Sequence, residues 1–154
     1  MKKIIIAITI LFTSLTLFSA PLTADISVVN IFARATAKGQ DVGAVYLVLK
    51  NNTHSDIKFT GATTSIADQA DIHIMEMEHN VSSMKHEGLL IIPAQKELQM
   101  LPGKSHIMLM GLKQPLVKGK TLTVTLHFEN HPDLTVNVPI QSIDDEEMTG
   151  MHMH

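Results

Sequence analysis

The sequence predicts an all-β domain, an antiparallel sandwich of two packed sheets, on three observations. From Asp25 onward the chain is a series of short apolar runs broken by Gly, Pro, Asn and Asp, which is the rhythm of strands and turns. Two of these runs alternate strictly with period two. No stretch of ten or more residues carries a helical period, and only Thr64–Gln69 has the composition for a turn or two of helix.

The chain opens with Lys2 and Lys3, runs through an apolar stretch from Ile4 to Phe18, and reaches small residues at Ser19, Ala20 and Ala24. That is the layout of a secretory signal peptide. Thr9, Thr13, Ser14 and Thr16 interrupt the stretch, which falls short of the roughly 20 apolar residues of a spanning helix. A cut after Ala20 would leave Pro21 beside the scissile bond, so cleavage is expected after Ala24 and residues 1–24 are assigned to the leader. The mature protein is then expected to be exported, beginning at Asp25. Its length suits one domain with a core of its own.

The strands follow in order. They are read at Ile26–Phe32, Gly43–Lys50, Ile57–Thr63, Asp71–Glu78, Leu89–Ile92, Glu97–Leu101, His106–Met110, Thr121–Glu129 and Leu134–Ile140. In Thr121–Phe128 the residues Leu122, Val124, Leu126 and Phe128 share one face, while the threonines and His127 share the other. Leu134, Val136, Val138 and Ile140 repeat the alternation, and Glu129-Asn-His-Pro-Asp133 has the composition of a tight connection between the two. Residues 25–142 are assigned to this domain. Beyond them, 143–154 is acidic and then rich in Met and His, too polar to pack, and is read as a flexible tail.

Composition removes several functions. The chain has no cysteine, and disulfide exchange, thiolate catalysis and the blue-copper centre all need a Cys sulfur. Loss of the two leader lysines takes the formal charge from −3 to −5, and an acidic surface argues against nucleic acid as a partner. The full sequence carries ten methionines and nine histidines, with one tyrosine and no tryptophan.

Those two residue types suit Cu(I), a soft ion that takes thioether sulfur and imidazole nitrogen. A Met sulfur needs no deprotonation, so protons compete only at the histidines. Residues two apart on a strand share a face, about 7 Å apart along the chain. His106 and Met108 can therefore lean onto one ion while Ile107 and Leu109 turn into the core. In the same way His73, Met75, Met77 and His79 line up, and Met84 follows after a turn.

His73, ten residues, Met84, twenty-one residues and then His106-x-Met108 resembles the motif of the PCuAC-type periplasmic copper chaperones. With nine histidines as starting points, chance would produce this spacing roughly two times in a thousand. The resemblance extends to Ala33-Arg-Ala-Thr36, to Ala44-Val-Tyr-Leu47 followed by Asn51, and to His106–Leu112. It implies a cupredoxin-like Greek-key sandwich with one Cu(I) at an exposed edge, held by His73, Met84, His106 and Met108. It also implies delivery to a copper acceptor such as cytochrome oxidase subunit II, or to a thiol-bearing Sco-type chaperone. No enzymatic activity is expected, and the chain is expected to be a monomer.

Met148, Met151, His152, Met153 and His154 form a second candidate site, whose histidines also suit Cu(II). Other assignments are plainer. Met100 and Met110 are read as core packing, Met75 and Met77 as packing beside the ion or alternative sulfur donors. His54, His86, His127 and His131 are read as surface residues, and His79 is set apart from them because it shares a face with His73. Three other readings compete with transfer. A copper enzyme is disfavoured by two sulfurs that hold Cu(I) and by the lack of an acid–base pair. A plain adhesion module predicts no Cu(I) affinity, and a periplasmic copper storage or resistance protein predicts several ions per chain.

Overall fold

The structure is a computed structural model that describes residues 24–78 and 81–142 and, within 76–86, the course of the strands alone. The leader apart from Ala24, and the tail 143–154 with its candidate site Met148, Met151, His152, Met153 and His154, lie outside the described residues.

Ten strands follow one another: β1 (Ile26–Arg34), β2 (Val42–Asn51), β3 (Ile57–Thr63), β4 (Gln69–Glu78), β5 (Val81–Glu87), β6 (Leu90–Ile92), β7 (Glu97–Met100), β8 (Ser105–Met110), β9 (Thr121–Phe128) and β10 (Leu134–Gln141). They join in the order β5-β4-β8-β2-β1-β10-β9-β3-β6, with β7 on β2 beside the end of β8. The sheet curls so that its two halves pack face to face, which makes the fold the cupredoxin-like β-sandwich expected. Every pairing is antiparallel except the seam between the halves, where β1 and β10 run parallel with Ala33 opposite Ile140 and Arg34 opposite Gln141.

Period-two patterning accounts for the core. Leu122, Val124, Leu126 and Phe128 of β9 are buried, as the alternation predicts, and meet Phe59 and Ile57 of β3 and Val138 and Ile140 of β10. From the other half, Val45, Leu47 and Leu49 of β2, Ile72 of β4, and Ile107 and Leu109 of β8 enter the same core. Burial of a side chain of this kind stabilises by about 1.5–3 kcal/mol. Met100 is fully buried among them, so its reading as core packing holds.

A buried polar knot closes one end. Asn51, at the end of β2, donates from Nδ2 to Ser55 O at 2.7 Å and to Ile92 O at 2.9 Å, and its Oδ1 accepts from Thr53 N and Thr53 Oγ1. All four of its hydrogen-bonding positions are used, which is why an amide is tolerated at zero exposure.

Two expectations differ from the structure. Thr64–Gln69 forms no helix: 64–68 is a turn, and Gln69 begins β4. β5 was not foreseen as a strand, because Val81-Ser-Ser-Met-Lys-His-Glu87 has too few apolar residues to mark a core face. It needs none, since it lies at the edge of the sheet and pairs with β4 alone.

Candidate metal centre

The site starts from register. β4 and β8 run antiparallel with Asp71 opposite Met108, Ile72 opposite Ile107 and His73 opposite His106. Directly opposed residues point to the same side of a sheet. Ile72 and Ile107 therefore go into the core together, and the two histidines go to the other face together. Their rings lie 5.9 Å apart, centroid to centroid, inclined at 31°. Beyond the last paired rung, Met75 N donates to Lys104 O at 2.6 Å, which keeps β4 against β8 as far as Met75.

Alternation then sets the remaining donors. Met108 stands two residues from His106, and Met75 two from His73, so both thioethers belong to the histidine face. Both are half-buried, whereas His106 is only 7% exposed. Met84 enters from β5, where it pairs with Met75. The register thus puts Met84 one strand further out, opposite Met75, and its side chain lies outside the described residues. His86, read from the sequence as a surface residue, is the partner of His73 on β5. Across β5, β4 and β8, His86, His73 and His106 form one row of the ladder. The sequence signal for it was the even spacing Ser82, Met84, His86, legible only once β5 is known to be a strand.

On the other flank the row continues into aromatic packing. Tyr46 of β2 lies 5.9 Å from His106 and 5.2 Å from Phe32 of β1, ring to ring, and the Arg34 guanidinium carbon sits 5.4 Å above the Tyr46 ring. Burial holds the pKa of His106 below its ordinary 6.5, and His73 and Arg34 push it the same way. At neutral pH its imidazole is uncharged, with a lone pair to offer a metal.

Among the described residues no three His, Asp or Glu side chains gather as a metal cluster. The two described imidazoles of this face are instead joined by thioethers, the donor set of a soft ion. His127 and His131 stand elsewhere. His127 contacts Asp133 at 3.0 Å and Thr63 Oγ1 at 2.9 Å, and His131 lies 3.6 Å from Asp25. Met110, expected in the core with Met100, is instead half-buried and continues the row of Met108.

A family model described as "Putative lipoprotein LpqE-like" matches residues 26–140, from the first residue of β1 to the penultimate residue of β10. The chain belongs to the LpqE-like family. A protein of Leifsonia xyli subsp. xyli (strain CTCB07), described as "Putative lipoprotein Lxx21020", is 35% identical over 106 residues, which are 68% of this chain and 64% of that one. The LpqE-like chain thus spans less than two thirds of that curated relative. Among solved structures, apo-DR1885 from Deinococcus radiodurans is 26% identical with a TM-score of 0.61, covering 92% of this chain and 97% of that one. The CuI form of DR1885 is 31% identical with a TM-score of 0.59, covering 72% and 74%. The copper-bound PCuAC domain from PmoF2 is 19% identical with a TM-score of 0.67, covering 77% and 94%, a likeness of fold. Together these bear out the PCuAC-type family read from the sequence.

Proposed function

We propose that this LpqE-like chain is an exported copper chaperone that holds one Cu(I) between His73, Met84, His106 and Met108 and releases it to an acceptor. One observation carries the reading. His73 and His106 are opposed across β4 and β8 with rings 5.9 Å apart, on the face that also carries Met75 and Met108. A single ion lying between the rings is within reach of both. The relatives support the cargo, since the matched solved structures include a CuI form and a copper-bound domain. The leader-like first 24 residues and the lipoprotein descriptions of the relatives support export to the periplasm.

The chemistry is ligand exchange without turnover, so the protein is read as a carrier and not an enzyme. The strands hold both imidazoles in place before the ion arrives, which lowers the cost of ordering them. His106 is neutral at the working pH, so no proton has to leave it. Thioethers are neutral, modest donors that an incoming thiolate or imidazole displaces one at a time. The acceptor in this reading is cytochrome oxidase subunit II or a Sco-type chaperone. Met148, Met151, His152, Met153 and His154 are read as a second donor set that captures copper, including Cu(II), for the fixed site. Partial disengagement is easiest at β5, which the sheet holds from one side only.

X-ray absorption on copper-loaded protein cut after Ser142 tests the reading, because it counts the donors of the fixed site alone. Two sulfur and two nitrogen neighbours are expected. A shell of oxygen and nitrogen without sulfur would overturn it.

A further inference from the structure

The line of rings that contains the two histidines does not end at His106. It runs on through Tyr46 to a fixed positive charge, the Arg34 guanidinium, whose central carbon lies 5.4 Å above the Tyr46 ring. Arg34 also lines one cleft with Gln40, Ala44 and Met108, so it approaches the thioether side of the site as well as the imidazole side. Its position is set by the fold: it is the last residue of β1, at the parallel seam, opposite Gln141 of β10. The stack over Tyr46 is a cation–π contact, which orients the planar cation and keeps it at the ring.

A fixed cation beside a metal site acts unequally on ions of different charge. Its repulsion of a divalent ion is twice that of a monovalent one. We infer that Arg34 is a specificity-determining residue that biases the histidine–methionine face toward Cu(I) over Cu(II). The inference rests on the copper-site reading above and adds to it a source of selectivity that touches neither ion. Sulfur donors favour the reduced ion by softness, and Arg34 favours it by charge alone. Asp71, opposite Met108, adds a carboxylate to this face, so what Arg34 supplies is an increment to a mixed field.

Magnitude follows from distance. Two ring steps of 5.4 and 5.9 Å put the guanidinium on the order of 10 Å from an ion at His106, where a unit charge in a partly buried medium changes an equilibrium constant about tenfold. Neutralising Arg34 should therefore strengthen Cu(I) binding about tenfold and Cu(II) binding about a hundredfold. Their ratio shifts about tenfold toward Cu(II), which is about 59 mV in a one-electron couple.

The test measures Cu(I) and Cu(II) affinities of the mature chain by chelator competition for the native protein, Arg34→Met and Arg34→Lys. Expected are a roughly tenfold shift of the ratio toward Cu(II) in Arg34→Met, with both affinities raised, and a ratio close to native in Arg34→Lys. Gln40→Glu is the variant that keeps Arg34 and its stack, placing a carboxylate in the shared cleft, and it should shift the ratio in the same direction by less. An unchanged ratio in Arg34→Met and Gln40→Glu, with copper still bound, overturns the inference and leaves the copper site standing. A loss of both affinities in folded Arg34→Met also overturns it, because that is the mark of a structural role. Failure of the native chain to bind either ion overturns the site itself.

Discussion

His73 and His106 occupy one rung of the β4–β8 ladder, and neither could turn away from the other without moving its strand by a residue. A slip of one position would send both imidazoles into the core and bring Ile72 and Ile107 to the surface, so the burial of those isoleucines locks the pair in place. Replacing His73 by Gln should weaken Cu(I) binding by roughly a hundredfold, which is about 2.7 kcal/mol, in a chain that remains folded. Chelator competition with circular dichroism on the same samples checks this. An affinity within a factor of three of native would remove His73 from the site.

Met100 and Met108 separate packing from binding. Met100 is fully buried in the core, and Met100→Ala should cost about 2–5 kcal/mol of stability with Cu(I) affinity unchanged. Met108 is half-buried on the histidine face, and Met108→Leu should cost less than about 1.5 kcal/mol while the affinity falls at least tenfold. Denaturant titration and metal competition on the two variants should give opposite patterns.

The pH dependence has a definite sign. Burial, His73 and Arg34 lower the pKa of His106 in the folded chain, so below the ordinary value of about 6.5 the unfolded chain takes up the proton first. The contribution of this residue to stability is therefore present above pH 6.5 and is lost as the pH falls from there through the folded pKa. Urea midpoints of the metal-free chain should decline over that interval, and His106→Asn should remove that part of the slope. For the same reason His106 alone should compete with protons for copper only below about 6.5.

Asn51 supports the sheet from far outside the site. Its side chain holds Ser55 O, Ile92 O and the Thr53 N–H and hydroxyl at once. Asn51→Ala leaves the buried Ile92 carbonyl unmet and removes the part-buried bonds to Thr53 and Ser55, which should cost about 1–3 kcal/mol. The denaturant midpoint should drop with an unchanged slope.

Much of this was legible in the chain. The alternation of Leu122, Val124, Leu126 and Phe128 reports a sheet with one face in a core, because a side-chain period of two fits no other regular element. The pair His106-x-Met108 was legible for the same reason. β5 was not, because an edge strand, paired on one side, carries Ser82, Met84 and His86 where a core strand carries apolar residues. His86 is hidden for the same reason.

By itself, then, the sequence determined the element types, the core residues, and the residues able to bind a soft ion, since these follow from local spacing and side-chain chemistry. Only the tertiary structure decided which donors share a rung, that His86 falls in line with His73 and His106, and that Arg34 lies over Tyr46 beside them. The reason is register. Pairing between strands far apart in the chain is set by how their apolar faces fit a common core, and no spacing within one strand records it.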